Sequence, residues 1–129
     1  MISQARWLRV AIAAFLVEVG LSLTAIPFVL LIGQPAYVTA VPALCVAVPF
    51  IVVWFATHKL AGAHALHGIL IGIVATLMYF ALVIGASSIA DTVTAYGGMA
   101  MFAGVNALRV VSAAAGGYAA GRRAVPTAA

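Results

Sequence analysis

Charge is what this sequence has least of. Its 129 residues include six Lys and Arg and two Asp and Glu. Soluble folds carry charge on about a quarter of their positions, so a water-soluble globular domain is excluded. Disorder is excluded as well. A chain stays unfolded when low hydrophobicity meets high charge, whereas 67% of these residues are hydrophobic. A single cysteine, Cys45, cannot build a disulfide scaffold. There is no nucleophile–base–acid set, phosphate loop, metal-ligand spacing or thiol pair. No catalytic residue, metal or cofactor is therefore assigned, and the chain is read as a non-enzyme. The cations are few and scattered, which speaks against a nucleic-acid partner. The solvent left by these exclusions is a lipid bilayer.

What the sequence does contain is long apolar runs. A hydrocarbon core of about 30 Å needs about 20 mostly apolar residues per helix. Four runs meet this, at residues 8–33, 37–57, 66–88 and 96–120. The expected fold is all-α: a four-helix transmembrane bundle forming one integral membrane domain over residues 1–129. Gly33-Gln34-Pro35 breaks the first run from the second, because proline cannot continue the helical ladder. Thr57 to His64 supplies the polar link between spans two and three, and Ser87 to Thr92 the link between spans three and four. Span one is expected to be a retained helix, not a cleaved signal peptide. Its apolar run is too long, no small-x-small cleavage site follows it, and Glu18 interrupts it.

Orientation follows from the basic residues. Arg6 and Arg9 precede span one, Lys59 lies between spans two and three, and Arg122 and Arg123 follow span four. With both termini cytoplasmic, all five lie inside and Asp91 lies outside, a positive-inside pattern. A further pattern links spans two and four. Phe55-Ala56-Thr57-His58-Lys59-Leu60-Ala61 and Tyr118-Ala119-Ala120-Gly121-Arg122-Arg123-Ala124 match in character at an offset of 63 residues. This spacing suggests a parallel 2+2 hairpin repeat. Any two helices leaving a membrane on its inner side also end in aromatic and basic residues, so both explanations stand.

Two charges sit inside spans: Glu18 in span one and Arg109 near the middle of span four. Insertion scales put a central charge at about 2.5–3.5 kcal/mol, so each needs a partner or a water-filled path. Ala11, Ala14, Glu18, Ser22 and Ala25 form one stripe on span one. Arg109, Ala113, Gly117 and Gly121 form another on span four, with Asn106 on the same side. Small residues let helices approach closely in lipid, so both charges are expected to face protein. Glu18 lies about 13.5 Å from Arg9 along its helix and Arg109 about 19.5 Å from Arg122, an offset of about 6 Å. Their Cβ vectors lean apart, which calls for a bridging water, Asn106 or Ser22. Tyr79 is a further candidate for polar lining. The glycine pairs Gly68/Gly72 and Gly117/Gly121 are small-xxx-small motifs for helix packing, within the bundle or between subunits.

His67-Gly68-x-x-x-Gly72 and Gly116-Gly117-Tyr118-Ala119-Ala120-Gly121-Arg122 resemble motifs in small four-span bacterial membrane proteins of uncharacterised function. That resemblance implies a multi-pass protein of a bacterial inner membrane. Ala14-Phe15-Leu16-Val17-Glu18-Val19-Gly20 resembles the first helix of the small multidrug resistance transporters. By that resemblance Glu18 would exchange protons for a cationic substrate. The sequence departs from the family at Met78-Tyr79-Phe80, which lacks tryptophan, and at Arg109, which would repel a cation.

His58, His64 and His67 cluster near the inner face and are expected to be interfacial, beside Lys59. Pro27, Pro42 and Pro49 are expected to shape packing. Two functional classes follow. One is an oligomeric transporter or channel for a small solute or ion, using Glu18 and Arg109. The other is a non-catalytic accessory or assembly subunit of a larger membrane complex, with Glu18–Arg109 a structural ion pair.

Overall fold

A computed structural model describes residues 5–124 of the chain. It is all-α, with helices α1 (Trp7–Ile32), α2 (Gln34–Thr57), α3 (His64–Ala86), α4 (Ile89–Ala95) and α5 (Met99–Ala124). Four of them, α1, α2, α3 and α5, are long and apolar enough to cross a membrane. This marks a multi-pass membrane protein.

The breaks are set locally. Gly33 has φ +100°, a conformation that favours glycine, and it alone separates α1 from α2. Pro35 follows in the first turn of α2, where its missing N–H costs no helical bond. The spans differ from the sequence expectation by up to three residues at the first three helices. The fourth is corrected more substantively. Residues 87–92, expected to be a link, include the start of a short helix. Ser88 Oγ accepts the Asp91 N–H and donates to Asp91 Oδ2, capping α4. Gly97 and Gly98, at φ +87° and +127°, then reset the chain, so the last span starts at Met99 and not at Tyr96.

Packing arranges the long helices in a ring: α1 beside α2, α2 beside α5, α5 beside α3, and α3 beside α1. Helices α1 and α5 therefore face each other across the diagonal. The start of α1, the end of α2, the start of α3 and the end of α5 lie together at one end. The Arg6 N–H donates to His67 Nε2 (3.0 Å), and Arg9 Nη1 donates to the Ala56 carbonyl (3.1 Å). Arg123 lies over the Trp54 ring, and Lys59 shares a cavity with Arg6 and Arg9. We call this the basic end, and the opposite one the α4 end.

The core mixes small and branched residues from all four long helices, with Ala14, Val53, Ile71 and Ala113 fully buried. Glycine sets the α3–α5 spacing. A Cβ on Gly68 would stand 2.5 Å from the Ala113 carbonyl oxygen, and one on Gly117 2.5 Å from that of His64. Gly72 approaches the Val110 backbone, and Gly121 faces the His64 ring. The same device operates on the other side of α5, where Gly116 meets the Phe50 backbone. The four sequence-assigned packing glycines therefore work within the chain, at one interface. Large apolar side chains such as Leu8, Leu23, Leu31 and Val111 face outward, as lipid contact requires.

Candidate functional site

Glu18 and Arg109 meet directly. Arg109 Nη1 donates to Glu18 Oε1 at 2.8 Å, with both side chains less than a tenth exposed. The bond runs across the diagonal of the ring, from α1 to α5, and passes through the centre of the bundle. The arginine stem covers the depth offset. No bridging group is used, which corrects the expected role of Asn106 and Ser22. Asn106 is buried and donates to the Phe102 carbonyl of its own helix. Ser22 is exposed on α1, at the edge of the cavity described next.

The buried face of α1 is also narrower than the expected stripe. Ala14, Val17, Glu18 and Leu21 are buried, while Ala11 and Ser22 are exposed. On α5 the stripe runs inward as expected at Asn106, Arg109, Ala113 and Gly117. Tyr79 holds the second side of the guanidinium, with Arg109 Cζ 4.2 Å from its ring centroid. A cation over an aromatic face gains about 2 kcal/mol when desolvated. Tyr79 Oη donates to Tyr96 Oη across 3.5 Å, and Tyr79, Phe80, Tyr96 and Phe102 pack at tilted and edge-on angles into one aromatic wall at the α4 end.

Above the pair lies a vestibule of about 270 Å³. Glu18, Arg109, Ser22, Ser87 and the three tyrosines Tyr37, Tyr79 and Tyr96 line it. It is polar for a membrane bundle. Residues from α1, α2, α3 and the α4–α5 corner converge on it. On its lipid side Glu18 and Ser22 also border an apolar groove of about 520 Å³ between α1 and α3, walled by Phe15, Val19, Met78 and Leu82. Glu18 thus stands at the meeting point of a polar vestibule and an apolar side groove. Towards the basic end the core closes over Val10, Ala13, Val53, Ile71 and Ala113.

Tyr37 and Tyr96 were not singled out in the sequence. Each sits beside a helix break, where an aromatic reads as interfacial. The Ser112 hydroxyl was missed too. It donates to the Val46 carbonyl and ties α5 to α2 beside Pro49. The four-residue steps Ser112, Gly116, Ala120, all buried, carried that signal.

The histidines separate. His58 stacks on Trp54 near the surface. His67 lies at the basic end, as the sequence suggested for that cluster, but is enclosed by the helices at 2% exposure. Its Nδ1 bonds the Ala63 carbonyl and its Nε2 accepts the Arg6 N–H, so the ring ties the start of α1 to α3. Among the described residues no three His, Cys, Asp and Glu side chains gather as a metal site would require.

Compared with family models, curated proteins and solved structures, the chain matches none. The functional argument therefore rests on the geometry.

Proposed function

We propose that this chain is a small transporter of a bacterial inner membrane, acting on a small charged or polar solute at the Glu18–Arg109 pair. The observation that carries the reading is the vestibule: both members of the pair line it, and it ends on them. A salt bridge that only holds helices needs no such chamber. A solute with an anionic group would compete with Glu18 for the guanidinium, and one with a cationic group would compete with Arg109 for the carboxylate. Either exchange breaks the bond across the diagonal and loosens α1 from α5. In this reading Ser22 and Tyr79 form the polar lining, and Asn106, about one turn from Arg109 towards the α4 end, bonds within α5 instead. Passage then requires the basic half to open, so the arrangement described here is one state of an alternating cycle.

We read both termini as cytoplasmic, a reading supported by Arg6, Arg9, Lys59, Arg122 and Arg123 flanking the helix ends of the basic end and Asp91 lying at the other. The two hairpins, α1–α2 and α3–α5, are read as a parallel repeat, and the working unit as a homo-oligomer, since four short helices enclose little polar volume. The resemblance to small multidrug resistance transporters supports Glu18 as the responsive group. Its bond to Arg109 favours a solute other than a simple cation.

The test is flux in liposomes. Candidate amino acids, organic anions and organic cations are added while entrapped pyranine reports proton movement. Glu18→Gln is expected to abolish solute-dependent flux while circular dichroism shows an intact fold. Unchanged flux in folded Glu18→Gln would remove the proposal.

A second reading has its own support in the glycine-locked α3–α5 crossing, which resists opening of the basic half. Under it the chain is an accessory or assembly subunit, and the ion pair fixes register. Purification in a constant ratio with a larger complex, without flux, is its expected signature.

A further inference from the structure

We propose that the groove between α1 and α2 at the basic end binds one anionic phospholipid. The groove opens in a cavity of about 630 Å³ bordered by Arg6, Arg9, His58 and Lys59. Its apolar floor continues, through the shared residues Leu16, Phe55 and Ala56, into a second cavity of about 510 Å³ walled by Val19, Leu23, Ile51 and Val52. A cationic mouth thus leads into an apolar trough that follows the helices into the membrane. A phosphodiester headgroup joined to acyl chains has this distribution of charge and shape.

The counter-anion has to come from outside the helices. The sequence has two acidic side chains. Glu18 is bonded to Arg109 in the bundle centre, and Asp91 is bonded to Ser88 at the α4 end. Arg6, Arg9 and Lys59 therefore converge with no side-chain carboxylate to neutralise them. Arg9 is anchored by its bond to the Ala56 carbonyl, and a guanidinium has five donors, so the remainder are available at the mouth. Arg6 and Lys59 are exposed on either side. Free phosphate would satisfy the cations and leave the trough unfilled. A phospholipid satisfies both, and each Lys or Arg at a membrane surface strengthens binding of anionic lipid about fivefold.

The full chain in neutral detergent, titrated with dioleoylphosphatidylglycerol or dioleoylphosphatidylcholine, tests this by native mass spectrometry. One phosphatidylglycerol is expected per chain, with phosphatidylcholine lost at the same concentration. Arg6→Gln with Lys59→Gln is expected to weaken retention about 25-fold. Leu16→Trp fills the trough, leaves every charge in place and is also expected to reduce retention. It carries the test should the charge variant misfold. Arg122→Gln with Arg123→Gln removes as much charge from the same end but outside the groove, and is expected to leave retention unchanged. Equal loss in that variant, equal binding of phosphatidylcholine, or displacement of the lipid by a large excess of inorganic phosphate would each overturn the proposal.

Discussion

The two halves of the bundle are built from the same helices but from different residue sizes. Towards the α4 end, tyrosines and serines hold the helices around a vestibule of about 270 Å³. Towards the basic end, glycine and alanine bring α5 against α3 and α2 until backbones touch, which leaves no room between these helices, and the open space lies on the outer side, in the α1–α2 groove. The ion pair marks the border. Large amphipathic side chains leave open space and small ones remove it, so one sequence produces an open, polar-lined half, here called wet, and a close-packed half, here called dry, without a change of architecture. In lipid this contrast matters more than in water. Apolar surface gains little by leaving lipid tails, and close van der Waals packing and buried polar contacts decide which helices meet.

The sharpest way to break this comparison is an accessibility map, where the expected outcome is all or nothing. In a Cys45→Ala background, Ser22→Cys lines the vestibule and is expected to react with a membrane-impermeant maleimide added from the α4 side. Ala113→Cys, at a fully buried position, is expected to stay unlabelled. Val111→Cys is exposed but faces outward from the bundle, so it too should remain unlabelled, because thiolate chemistry needs water. Labelling of Ala113→Cys at the Ser22→Cys rate would mean that the two halves do not differ.

Next in size is removal of one partner from the border pair. Arg109→Gln leaves the Glu18 carboxylate buried and unpaired, at an expected cost of about 3–5 kcal/mol in thermal or detergent unfolding. Glu18→Gln should cost less, because the guanidinium keeps the Tyr79 ring as a partner. The double variant should recover much of the loss. A double-mutant coupling near zero would show that the 2.8 Å contact contributes nothing energetically.

The dry half is tested by adding single methyl groups. Gly68→Ala or Gly117→Ala places a Cβ 2.5 Å from a carbonyl oxygen of the facing helix. The helices must separate, at an expected cost of about 1–3 kcal/mol. Gly104→Ala, on the same α5 but facing open space, should be neutral or stabilising by up to about 1 kcal/mol. Equal effects at Gly117 and Gly104 would show that glycine acts through helix propensity and not through close approach.

The sequence made the border visible but not its geometry. Spans were legible because runs of about 20 apolar residues have few alternatives in a chain with so little charge. Glu18 and Arg109 stood out because intramembrane charges are costly. Gly68/Gly72 and Gly117/Gly121 stood out by their four-residue spacing. That α1 and α5 lie on a diagonal was not legible, since helix order around a ring depends on which faces fit together and not on hydropathy. The burial of His67 was hidden for a similar reason: its partner is the Arg6 backbone, far away in sequence. The capping of α4 was legible in principle, since Ser88-Ile89-Ala90-Asp91 has the spacing of an N-cap followed by an acid.

The smallest expected effect concerns the second face of α5. Ser112 Oγ donates to the Val46 carbonyl, one residue beyond Cys45, whose carbonyl loses its helical donor to Pro49. Interhelical side-chain hydrogen bonds in membranes average about 0.6 kcal/mol, so Ser112→Ala should lower unfolding stability by about that amount. This is less than a methyl added at the neighbouring Gly116 should cost, where a Cβ would stand 2.5 Å from the Phe50 carbonyl oxygen. If the hydroxyl serves the proline-disturbed backbone, Pro49→Ala restores the helical donor to the Cys45 carbonyl and the penalty of Ser112→Ala should shrink in that background. Additive losses in the double variant would instead make Ser112 an independent clasp between α5 and α2. The hydroxyl's contribution then would not depend on the irregularity of α2, and the dry half would owe its closure to this hydrogen bond as well as to residue size.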